Sequence, residues 1–291
     1  MAFPLTLPSP LEPLGGCSTQ QQLFIKRDDL IHPIISGNKA RKLRHWIDQL
    51  ALTAPTKLIT MGGNRSNYLH ALGFLSYYYK VPMTAYIRGH RPPVLAATLA
   101  DLNRWRVDLQ FVDKARFRCL RATPPALSAG EVWLPEGGSD VHALQSIIPA
   151  LSELPWAPDF IFVPVGTGVT ALSLAIASHL LGWPTKVIGV VVLKGAESIT
   201  CDLQQLCKAA NKPWPNNLVL EHGFCGRGFA KISATDRQYQ AELETQYQIP
   251  LEPVYAVKTF QAMHQWLTNK VPAKAKVIYW HTGGLQGNPR S

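Results

Sequence analysis

The apolar run Phe160-Ile161-Phe162-Val163-Pro164-Val165 leads straight into Gly166-Thr167-Gly168-Val169-Thr170. A strand with no polar face must be covered on both sides, as the inner strands of a parallel sheet are. The glycine turn opens an apolar helix over 171–181, and Lys186 to Leu193 reads as a second buried strand. Strand, turn, helix and strand make a βαβ crossover, which excludes all-helical and purely antiparallel folds. The same order recurs upstream. Lys57 to Met61, Met83 to Arg88, Val107 to Val112 and Glu131 to Leu134 read as strands, with helices over 68–79 and 93–105 and glycine turns at Gly62-Gly63 and Gly137-Gly138. Leu23 to Arg27 and Val277 to His281 place a strand near each end, 258–267 is a helix, and 1–22 reads as an irregular arm.

A glycine turn between a strand and a helix offers backbone N–H groups to a phosphate. The dinucleotide fingerprint asks for a further glycine where this chain has Ala171, and for an acidic residue near 193, which is absent. No Gly-Lys-Ser/Thr follows, so a Walker loop is excluded. A monophosphate suits the turn better.

Ser36-Gly37-Asn38-Lys39-Ala40-Arg41-Lys42-Leu43 puts one lysine in the first turn of a helix and another on the same face. The positive end of a helix penalises an ammonium, and the neutral amine it favours is what attacks a carbonyl carbon. Lys39 is expected to hold an aldehyde as a Schiff base; a solvated basic helix start is the plainer alternative. An aldehyde site and a monophosphate loop together point to pyridoxal 5′-phosphate.

The chain resembles the family of 1-aminocyclopropane-1-carboxylate deaminases and D-cysteine desulfhydrases, with the tryptophan-synthase-β-like fold. The resemblance is carried by Ile25 to Asp29, Gly37 to Leu43, Gly62-Gly63 with Ser66-Asn67, Leu134 to Ser139, Gly166 to Thr170, Pro253-Val254-Tyr255 and His281 to Gly284. It implies an α/β fold of two domains, parallel and mixed sheets flanked by helices, with the cofactor in the cleft between them. The larger domain is expected over 1–46 and 151–291, the smaller over 47–150. Lys39 is then the cofactor lysine, which later moves a proton. Lys42 reaches the phosphate beside Gly166, Thr167, Gly168, Val169 and Thr170. Asn67 bonds the ring hydroxyl, Ser66 holds the substrate carboxylate or touches its reacting carbon, and Tyr255 is an acid–base group or nucleophile; Thr282 is expected to stand in as a hydrogen-bond donor for the polar group missing at Ala256. Ser66 and Asn67 are also favoured helix caps, and Tyr255 suits a core.

Three positions depart from the family's pattern: Tyr68 for Gln or His, Phe229 for Tyr, and Ala256 for a polar residue near the pyridine nitrogen. Losing one tyrosine weighs against cyclopropane opening, whereas α,β-elimination needs only the cofactor, a base and a leaving group. The expected activity is release of ammonia and a keto acid from a small amino acid, by desulfhydrase-like elimination or ring-opening deamination. A cofactor-binding protein with faded catalysis is the alternative.

Net charge is +10, from 29 basic and 19 acidic residues, but the basic residues are scattered, so no nucleic-acid partner is expected. Five separated cysteines without a CxxC suit reduced thiols rather than disulfides or a metal. No signal peptide and no membrane span is expected, which suits the cytoplasm. The family implies a homodimer.

Overall fold

The computed structural model describes residues 3–15, 20–53, 55–226 and 232–287. In chain order, β1 (Leu11–Pro13) and β2 (Gln22–Lys26) precede α1 (Asn38–Lys42) and α2 (Arg44–Leu52). Next come β3 (Lys57–Gly62), α3 (Asn67–Tyr79), β4 (Met83–Arg88), α4 (Ala97–Arg104), β5 (Asp108–Val112), α5 (Lys114–Ala122), β6 (Glu131–Leu134) and α6 (Val141–Ile147). The remainder is β7 (Phe160–Val165), α7 (Val169–Leu180), β8 (Lys186–Val191), α8 (Ile199–Ala209), β9 (Leu218–Glu221), α9 (Ala234–Tyr247), α10 (Ala256–Asn269) and β10 (Lys276–Trp280).

Two sheets result. One has six strands in the order β1-β2-β10-β7-β8-β9, the other four in the order β5-β4-β3-β6. Every pairing is parallel except β1 with β2. The arm expected to be irregular therefore contributes a strand. Leu11 to Pro13 pairs with Lys26 to Phe24, a short edge too brief to show an alternating pattern.

The apolar strand β7 is covered on both faces, as its composition requires. Ile161, Val163 and Val165 point into a core with α6, α7 and α8, while Phe162 joins the core beneath α9 and α10. Leu172 of α7 has no accessible surface, so truncating it to Ala would cost about 2–5 kcal/mol. The four-stranded sheet packs α2, α3 and α4 on one face through Leu58, Ala85, Leu69 and Leu102. Its other face holds a smaller cluster of Met61, Phe117 and Leu120 under α5. Among the described residues, no helix is long and apolar enough to cross a membrane.

The helix expected after Lys39 is broken. α1 ends at Lys42, Leu43 takes φ −87° and ψ 0°, and α2 restarts at Arg44. Ala40, Leu43 and Ile47 remain in the apolar cluster of the four-stranded sheet, so burial spans the break.

Candidate active site

Parallel strands expose loops of one kind at their carboxyl ends, and ligands bind there. The segments after β2, β3, β6, β7 and β10 converge here, and they carry the residues the sequence singles out.

Gly37 (φ +69°) starts α1 against the turn after β10. A Cβ there would fall 1.9 Å from the Thr282 carbonyl oxygen, so only glycine fits. The Asn38 N–H donates to that carbonyl at 3.2 Å. From below, Arg41 holds α1 in a buried ion network. Its Nε and Nη2 donate to Asp28 at 2.7 Å each, and Nη1 and Nη2 donate to Glu153 at 2.8 and 2.9 Å. Asp28 also accepts from Trp280 Nε1 at 2.7 Å, and Lys26 Nζ pairs with Glu153 at 2.6 Å.

Lys39 and Lys42 leave this anchored turn together. Burial pushes the Lys39 amine down to about 8, partly opposed by the charge of Glu252. The sequence attributes this to the helix end, but desolvation is the larger cause, and five residues make little dipole. Lys42 is pushed down to about 7 by burial and then by Lys39, with Asp140 opposing. Its Nζ donates to the Gly137 carbonyl at 2.7 Å and to Thr167 Oγ1 at 3.0 Å. It thereby joins the glycine turns after β6 and β7.

The turn after β7 bends at Gly168 (φ +80°), and no side chain caps the α7 N-terminus. Asn38 Nδ2 donates to Thr170 Oγ1 at 2.9 Å, while its Oδ1 is buried without a hydrogen-bond partner. Opposite, the Tyr255 ring lies against Gly166, where a Cβ would sit 3.3 Å from Cε1 and from the phenol oxygen. Burial raises the Tyr255 phenol above its ordinary value, reinforced by Glu252 and Glu136.

Ser66 is the N-cap of α3, its Oγ accepting from the Leu69 N–H at 3.2 Å. The capping role is thus present, and the hydroxyl proton remains available for a second partner. Asn67 directs Nδ2 at Gly284 (φ +97°), where a Cβ would lie 2.7 Å away. Thr282 is buried beside it. The turns carrying Lys39, Ser66, Asn67, Gly166 to Thr170, Tyr255 and Thr282 therefore line one region.

Of the three departures, Tyr68 is buried with its ring against Gly138, where a Cβ would lie 2.4 Å from Cε2. Ala256 is the first residue of α10 and donates its N–H to Glu252 at 2.6 Å. Phe229 lies outside the described residues.

The sequence profile described as "Pyridoxal-phosphate dependent enzyme" matches residues 3–283. The chain belongs to that family. A putative 1-aminocyclopropane-1-carboxylate deaminase of Thermotoga maritima is 25% identical, over 96% of this chain and 95% of that one. The mitochondrial bifunctional D-cysteine desulfhydrase/1-aminocyclopropane-1-carboxylate deaminase of Arabidopsis thaliana is 24% identical, over 97% and 77%. The crystal structure of an ACC deaminase homologue superposes with a TM-score of 0.85 at 22% identity, covering 98% of this chain and 92% of that one. The fold is that of this family.

This pyridoxal-phosphate-dependent enzyme has groups that fit the cofactor. The uncapped α7 N-terminus and the Lys42 amine, buried beside a second lysine, both favour an anion. A flipped Asn38 amide would accept from Thr170 and turn its N–H to the same place. Lys39 would supply an amine poised near neutrality for an aldehyde carbon. When bound, pyridoxal phosphate supplies an electron sink for charge on the substrate's α-carbon.

Sequence reasoning missed two residues. Asn38 reads as a turn residue beside Lys39, yet it reaches Thr170 in the glycine turn after β7. Glu252 reads as part of a turn, yet it is a buried carboxylate accepting from three successive backbone N–H groups, Val254, Tyr255 and Ala256, at 2.8, 2.7 and 2.6 Å. An acidic residue a few positions before a helical run was the available signal.

Proposed function

We propose that this enzyme carries out α,β-elimination on a small amino acid with a leaving group such as thiol on its β-carbon, releasing ammonia and a keto acid. The observation that carries the reading is the pairing of two opposed environments. Lys39 is poised near 8, so its amine can take and return the α-proton. The Tyr255 phenol is raised, which keeps it an acid able to donate to a departing group. A neutral phenol is a poor nucleophile for a cyclopropane carbon.

In this reading Lys42, Asn38 and the Gly166–Thr170 backbone hold the phosphate, with Gly166, Thr167, Gly168, Val169 and Thr170 each contributing. Asn67 and Thr282 flank the ring, and the Ser66 hydroxyl takes the substrate carboxylate. The relatives' names support a thiol or a cyclopropane substrate equally. Ring-opening deamination is therefore the second reading. Two domains, over 1–46 with 151–291 and over 47–150, would close on the substrate and exclude water from it. The enzyme is read as a cytoplasmic homodimer.

The test is keto-acid release by purified enzyme from D-cysteine, β-chloro-D-alanine, D-serine and 1-aminocyclopropane-1-carboxylate. Turnover of the β-substituted substrates without the cyclopropane supports elimination; the reverse pattern establishes the second reading. Lys39→Ala is expected to lose turnover and the cofactor's lysine-linked absorbance. Retention of that absorbance would remove Lys39 from its role.

A further inference from the structure

Glu252 is 4% exposed, and the chemistry above gives it no role of its own. Its Oε1 accepts from the N–H groups of Tyr255 and Ala256, and its Oε2 from that of Val254. Ala256 is the first residue of α10, Tyr255 its N-cap and Val254 the residue before it, so the carboxylate holds the turn that leads into a helix with no side-chain cap. The side chain also touches the turn after β10. A Cβ at Gly284 would lie 3.6 Å from Glu252 Cγ and 2.7 Å from Asn67 Nδ2. Two residues earlier in that turn, the Thr282 carbonyl bounds Gly37 and receives the Asn38 N–H. One short turn thus separates Glu252 from the start of the helix that carries Lys39.

We propose that Glu252 is a positioning residue of this site, whose carboxylate orders the turn that carries Tyr255 into α10 and serves as the counter-charge to the Lys39 ammonium. It rests on Lys39 being the lysine that engages the cofactor. The charged and titratable groups facing Glu252 are Lys39 from α1, Tyr279 from β10, and Tyr255 and Lys258 from α10. Both tyrosines stay neutral because burial and the carboxylate raise them. Lys258 donates to the Cys225 and Val192 carbonyls at 2.8 and 3.4 Å, so its ammonium has other work. Glu252 also draws Lys258 up, after Asp236 and Cys225, whereas on Lys39 it is the one charge that opposes burial.

Electrostatics on the two partners agree in sign. Burial raises Glu252 to about 7 with Lys39 pulling it down, and burial lowers Lys39 to about 8 with Glu252 pulling it up. The two groups titrate as a coupled pair. Removing the negative charge frees the amine at lower pH. Withdrawing the positive charge, as in Lys39→Met, makes Glu252 easier to protonate. A protonated carboxyl accepts fewer N–H bonds, so the state of Lys39 reaches the α10 turn beside Tyr255.

The experiment is pH-dependent acetylation of Lys39 by acetic anhydride in the full chain freed of cofactor, read by peptide mass spectrometry. In Glu252→Gln the labelling midpoint is expected to fall, so labelling at pH 7 speeds up roughly three- to tenfold, a tenfold change in free amine corresponding to one pH unit. Glu252→Asp, which keeps the charge, should stay near the wild-type midpoint. A midpoint that holds in Glu252→Gln while labelling changes by one factor at every pH would mean a helix cap and no counter-charge, and would overturn the proposal. Should Glu252→Gln fail to fold, Lys39→Met reports the same coupling. Its buried carboxylic-acid infrared band should persist to higher pH than in wild type, and an unmoved band overturns the proposal. Labelling is read without cofactor and the Lys39→Ala absorbance with it, so failure of one reading is distinguishable from failure of the other.

Discussion

Arg41 grips Asp28 through two nitrogens, Nε and Nη2, each 2.7 Å from a different carboxylate oxygen. Both side chains are buried, and Trp280 and Glu153 complete the cluster. A buried pair gains little net stability over an apolar pair, yet breaking one partner leaves the other charge stranded. Arg41→Ala and Asp28→Asn should each destabilise by about 3–5 kcal/mol in urea unfolding. The double variant should be less costly than the sum, because the second change removes the stranded charge. Strict additivity would show that the cluster does not act as a unit.

Much of the fold was legible because its strands are apolar runs stopped by glycine. β4, β6 and β7 begin and end where the sequence places them, and β8 stops at Val191 rather than Leu193. The helices α5, α6, α8 and α9 went unread. α5 buries only Phe117 and Leu120 among its charges, and α9 only Leu243 and Tyr247, too few to show a period. The α9 start does carry a local signal, a capping box between Ser233 and Asp236. At the site, glycines were readable because positive φ and close approach leave no other choice. Glu252 was not, because its burial comes from packing against the turn after β10, which local sequence does not encode.

Gly37 gives a backbone prediction. Gly37→Ala would need a left-handed conformation and would drive its methyl into the Thr282 carbonyl. Compatible glycine-to-alanine changes stabilise by about 0.4–1 kcal/mol, and incompatible ones destabilise by more than that. The variant should melt earlier than wild type and lose cofactor retention on gel filtration, since the turn that aims Lys39 must move.

Stability of the cofactor-free chain should pass through a minimum close to pH 7. Glu252 has its folded value raised to about 7 from 4.5, so the folded state binds more protons than the unfolded one between those values, and stability falls as pH rises through them. Lys42 and Lys39 have folded values lowered to about 7 and about 8 from 10.5, so the unfolded state binds more protons above them. Stability then recovers as pH climbs toward 10.5. Thermal melts across this range test it. In Lys42→Met the recovery should shrink, and inorganic phosphate, by neutralising the Lys42 ammonium, should fill in the minimum for wild type alone.

Tyr255→Phe separates chemistry from binding. The ring contact with Gly166 survives the change, so cofactor loading and its absorbance should match wild type. Only the phenolic proton is removed. If that proton goes to the leaving group, kcat for a poor leaving group such as the hydroxyl of D-serine should fall about 10²–10⁴-fold. A good one, such as the chloride of β-chloro-D-alanine, needs no proton and should be nearly unaffected. Because the phenol lies above its ordinary value, the wild-type rate should show no alkaline-limb loss from Tyr255 up to pH 10. Equal losses on both substrates would mean that Tyr255 orients the substrate and does not act as its acid.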